Sequence, residues 1–64
     1  MKLHHKGNKV VFEDNGKQYP LISAYPVDND EQAKKKIKFF KENKDLLVSE
    51  PCNIDGTYTT IEFD

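Results

Sequence analysis

Lys34, Lys38 and Lys41 carry the plainest chemistry in the chain. On a helical wheel with Ala33 at the origin they fall at about 80–140°. That makes a basic stripe spaced to meet phosphates or an acidic protein surface. All ten basic residues are lysine and none is arginine. Bidentate guanidinium contacts to bases are therefore excluded, and loose phosphate binding is not. Nucleic-acid binding through these three lysines is one reading, weighed against a lysine face that serves only solubility.

Phe39 gives a second reading. It lies at about 240° on the same wheel, well off the apolar stripe of Ala33, Ile37 and Phe40, with Lys35, Glu42 and Asn43 as neighbours. A phenylalanine ringed by charge suits an interface anchor. The expected contact surface is Lys35, Phe39 and Glu42 with Lys38. The bland alternative is a wide apolar arc in which Phe39 reaches the sheet edge and Lys36 snorkels.

The remaining reactive types form no expected catalytic, cofactor or metal set. His4 and His5 are adjacent, so on a strand they project to opposite faces and one ion cannot take both. Cys52 stands alone in a loop, with no base and orienting group at a recognisable spacing. No glycine-rich phosphate loop and no Ser-His-acid pattern occurs. Tyr19, Tyr25 and Tyr58 can share an outer sheet face, where cross-strand pairing is a plainer role than stacking on bases.

The element that positions these groups is Asp28 to Asp45, which predicts one helix over 29–44. Asp28 with Glu31, or Asn29 with Gln32, makes a capping box. Asp30 and Glu31 suit the first turn, and Lys41 and Lys44 the last. Asn43 is a candidate left-handed stop.

Strands are predicted at 2–5, 9–13, 17–25, 46–49 and 57–63. Gly7 and the Asp14-Asn15-Gly16 run mark tight turns between the first three. Pro20 cannot donate to a ladder, so its strand is an edge or begins after it. Residues 50–56 are a loop.

The expected architecture is α+β, in the order β-β-β-α-β-β: an antiparallel sheet of three to five strands with one amphipathic helix on a face. The expected core is Leu3, Val10, Phe12, Leu21, Ala33, Ile37, Phe40, Leu46, Val48, Ile61 and Phe63.

Sixty-four residues bound the chain to a single small domain, 1–64, with a marginal core. One cysteine offers no disulfide and favours a reducing compartment. No apolar run has membrane-spanning or signal length, so a cytoplasmic protein is expected. Dimerisation or a partner would add stability.

Net charge is −1, but it is segregated: residues 34–44 carry six lysines and one acid, while 45–64 carry five acids and no base. Lysine without arginine, together with many Asn, Asp and Ile residues, fits an AT-rich coding sequence, such as that of a low-GC bacterium or its phage. The leading expectation is a non-enzymatic module that binds a protein partner, as a phage or mobile-element accessory that modulates or inhibits a host protein. The alternatives are the nucleic-acid binder and a structural homodimer.

Overall fold

A computed structural model describes residues 1–22 and 25–64. β1 (Lys2–Lys6), β2 (Lys9–Asp14) and β3 (Lys17–Ile22) form a meander. It is followed by α1 (Asp30–Asn43), a 3-10 turn at Lys44–Leu46, and β4 (Thr59–Glu62). The strands make one antiparallel sheet in the order β3-β2-β1-β4. The fold is α+β, with one helix on one face of the sheet.

Turn chemistry sets the register. Gly7 has φ 57° in the two-residue loop between Lys6 and Lys9, as a type II′ turn requires. Asn15 and Gly16 have φ 54° and 79° between the paired Asp14 and Lys17, as in type I′. With register fixed, alternation sends Leu3, Val10, Phe12, Tyr19, Leu21 and Ile61 to the helix side.

There they meet Phe40, which is fully buried. Its ring stacks on Phe12 at 4.4 Å between centroids, and Phe63 meets both rings edge-on. Tyr19 leans on Phe40 at 5.4 Å. Offset and edge-to-face aromatic contacts of this kind add to the stabilisation from burial itself.

The helix begins as a capped helix should. Asn29 Oδ1 accepts from the Gln32 backbone N–H at 2.9 Å, and Gln32 Oε1 accepts from the Asp28 N–H at 3.0 Å. Asn29 with Gln32 is therefore the capping pair, not Asp28 with Glu31. Its end differs from expectation. Asn43 has φ −122°, so it is no left-handed stop. Its side chain instead donates to the Phe39 carbonyl at 2.9 Å, and the chain tightens into the 3-10 turn.

That turn also removes the strand expected at 46–49. Its tighter winding changes the phase of the apolar run, so Leu47 packs against the core, and Leu46 and Val48 are exposed. Leu46 and Val48 are thus not core residues. The return strand ends at Ile22 rather than at 25, and Ser23 and Ala24 lie outside the described residues. The tyrosines do not share an outer face. Tyr19 is on the helix side, and Tyr58 sits in the bend before β4 beneath Lys6. Tyr25 is exposed beyond the end of β3.

Irregular chain is tied to the second face of the sheet. Glu50 N–H donates to the Gln18 carbonyl at 2.9 Å, and Cys52 N–H to Gln18 Oε1 at 2.6 Å. Gln18 lies on the edge strand β3, with its side chain on the face away from α1. At the far edge Tyr58 lies under Lys6, also on that face. Residues 50–58 are thus tied to the sheet at both ends, at Gln18 and beneath Lys6. Val11 and His4 are buried on this side. No helix among the described residues is long and apolar enough to cross a membrane.

Candidate interaction site

α1 lies on the sheet between two grooves, and the sequence-predicted residues divide between them. The groove on the β3 side, about 410 Å³, is lined by Val10, Phe12, Leu21, Ile22, Tyr25, Gln32, Lys35, Lys36 and Phe39. The groove on the β4 side, about 680 Å³, has Ala33, Ile37, Ile61 and Phe63 as its apolar lining and Lys34, Lys38, Lys41, Asp30, Glu42 and Glu62 as its charged lining.

The predicted contact surface is therefore split. Lys35 and Phe39 look towards β3, whereas Lys38 and Glu42 line the β4-side groove and pair with each other at 3.9 Å. Phe39 is half exposed. It sits about 110° around the wheel from the buried Ala33–Phe40 line, far enough to leave the core and near enough to wall the groove. Ile22, 93% exposed, and Tyr25, 72% exposed, extend that wall. Large apolar surface left in water at one place is the unusual feature here.

Charge separates the grooves further. Among the described residues, the only charged ones lining the β3-side groove are Lys35 and Lys36. Lys35 reaches Glu31 at 3.9 Å across exposed helix surface, a pairing worth little in water. In the β4-side groove the three predicted phosphate-binding lysines do come together, but among three acids. Lys41 is further occupied, standing over the Phe63 ring at 5.7 Å.

Sequence reasoning missed one constellation. On the outer face His4 Nε2 donates to Glu13 Oε1 at 2.9 Å, and Nδ1 lies 2.8 Å from the Thr60 hydroxyl. Thr60 is the direct partner of His4 on β4, and Glu13 is its diagonal neighbour on β2, two residues beyond its direct partner Val11 on the same face. The order hydroxyl, imidazole, carboxylate is that of a nucleophile, its base and an orienting group. Neither helix-flanking groove reaches it. What it does visibly is satisfy a buried histidine at both ring nitrogens. The signal in the sequence was alternation: His4 falls on the row of Val11, opposite Leu3.

His5 projects to the helix face, away from His4. Among the described residues no three His, Cys, Asp or Glu side chains gather to hold a metal ion. Cys52 is a partly buried free thiol whose Sγ lies 3.4 Å from the Glu50 carbonyl. Comparison with protein-family models, with curated proteins and with solved structures finds no match to this chain.

Proposed function

We propose that this chain is a small protein-binding module that docks through the groove between α1 and β3. The observation that carries the reading is the composition of that groove: Phe39, Ile22 and Tyr25 exposed in its walls, with Lys35 and Lys36 as its only charges among the described residues. An apolar floor with a basic rim fits a partner segment that combines an apolar anchor with carboxylates. Phe39 supplies the contact energy, and the lysines speed encounter. Lys38 and Glu42 lie around the helix from this groove and belong to the rim of the complex rather than to its centre. The module works by occupying a partner's surface, as an accessory encoded by a phage or mobile element would when it modulates a host protein.

The test is capture from lysate of the source cell, with and without nuclease. A protein that remains after nuclease treatment and is lost with Phe39→Ala supports the reading, provided the variant keeps its circular dichroism. A nuclease-sensitive catch that survives Phe39→Ala and is lost with Lys34→Glu, Lys38→Glu and Lys41→Glu supports nucleic-acid binding instead. Such binding would weaken with salt, with a log–log slope of roughly −0.7 to −0.9 per phosphate contacted.

A further inference from the structure

The two edges of the sheet are built in opposite ways. On β3, residues 17, 19 and 21 pair inward with β2, so Gln18, Pro20 and Ile22 turn their backbone groups outward. That edge is blunted: Pro20 has no N–H to offer, and the Gln18 carbonyl already accepts from Glu50. β4 has neither device. Phe63 N–H donates to the Met1 carbonyl, which fixes the odd-numbered residues as the ones paired with β1. Thr60 and Glu62 therefore present N–H and C=O groups outward, and no backbone hydrogen bond among the described residues reaches them.

An open ladder is completed by another extended strand. We propose that β4 pairs antiparallel with β4 of a second copy of this chain, centred on Ile61.

The register follows from chemistry. Centred on Ile61, Thr60 of each copy faces Glu62 of the other, and four backbone hydrogen bonds form. Ile61 meets its own copy on the helix face, in the close non-hydrogen-bonded position, and widens the apolar floor it shares with Phe63. On the outer face each Glu62 lies beside a threonine rather than a carboxylate. The second copy's Asp64 continues onto the row of Tyr58, over which Lys6 stands at 5.7 Å.

The neighbouring registers are worse. Centring on Glu62 sets two carboxylates side by side. Centring on Thr60 needs the Tyr58 N–H, which already donates to the Asp55 carbonyl. The chosen register joins two four-stranded sheets into one whose outer edges are both β3, the edge already closed. It also supplies the extra burial that so short a chain lacks.

The experiment combines sedimentation equilibrium from micromolar to millimolar concentration with amide hydrogen exchange on the same samples. The expected result is a reversible dimer in which the Thr60 and Glu62 amides become protected as it forms. The matching variant is Glu62→Pro. It removes only an outward N–H, as Pro20 does on β3, and Ile61 before it is already extended. It should keep the monomer's circular dichroism and weaken dimerisation about tenfold or more, having lost two of the four hydrogen bonds.

A chain that stays monomeric at millimolar concentration overturns the proposal. So does a dimer in which Thr60 and Glu62 exchange freely, or protection of those amides that appears only when a different protein is added. If Glu62→Pro fails to fold, exchange in the unaltered chain still decides.

Discussion

The two faces of the sheet hold their burial by different means. Under α1 the contacts are aromatic: Phe12, Phe40 and Phe63 meet ring to ring, with Tyr19 beside them. On the other face Val11 and a histidine bonded at both ring nitrogens are buried, and irregular chain is tied to the sheet at Gln18. The first face is stabilised by apolar area and close packing, which scale with ring size. The second is stabilised by polar matching, whose net worth is smaller because water competes for the same bonds. A small domain with one helix has only one face to give to a real core, and it closes the other by polar matching.

The largest test of this contrast is Phe40→Ala. Removing the ring that three other aromatic residues touch should cost about 3–5 kcal/mol, close to the whole stability of so small a domain. Chemical denaturation would read this directly, and a mild loss would mean the aromatic face is not the main core.

His4→Ala comes next, at about 1–3 kcal/mol. Glu13 and Thr60 both reach solvent and can rebond to water, so the cost lies mainly in the lost ring and its lost partners. A loss as large as that of Phe40→Ala would erase the distinction between the faces.

Phe39→Ala is the contrast within one turn of helix. Its ring is half exposed, so stability should move by no more than about 0.5 kcal/mol, while partner affinity falls by about 2 kcal/mol or more. Unfolding as severe as with Phe40→Ala would place Phe39 in the core and empty the proposed contact surface.

The smallest effect concerns the irregular chain of residues 50–58. The Asp55 carboxylate accepts from the Thr57 hydroxyl and from the Thr57 backbone N–H. Those bonds, the hydroxyl's first, hold its carboxyl below the ordinary 3.8. A carboxylate depressed in the folded state contributes fully above 3.8 and loses that contribution as pH falls through its lower folded value. Asp55→Asn should therefore be slightly less stable than the unaltered chain at neutral pH, and the two should converge at the bottom of the acid range. Parallel curves throughout would mean the loop contributes nothing through this turn.

Legibility in the sequence follows how local each cause is. Gly7 and Asn15-Gly16 announce their turns because the required φ is a property of those residues alone. Asn29 with Gln32 and the 33/37/40 spacing announce the helix for the same reason, and Pro20 correctly marks an edge strand. Leu46 and Val48 mislead because three apolar residues in a row cannot reveal their phase when a 3-10 turn precedes them. His4 was illegible as a buried residue because its partner Thr60 lies 56 residues away in the chain. The split of Lys35 and Phe39 from Lys38 and Glu42 depends on which strand flanks each side of α1, and no wheel contains that.

The placement of β4 beside β1 has a consequence for how the molecule assembles. β1, β2 and β3 close on one another through two-residue loops, and such hairpins form within microseconds. β1 and β4 must instead find each other across a separation of 56 residues, as His4 and Thr60 show. That search carries the main loop-closure entropy of the fold and sets its pace. Until it succeeds, one flank of β1 is unpaired and His4 has only Glu13. The topology predicts meander and helix first and closing strand last, with slowing of the final step prolonging the interval in which β1 can capture a strand from the wrong chain.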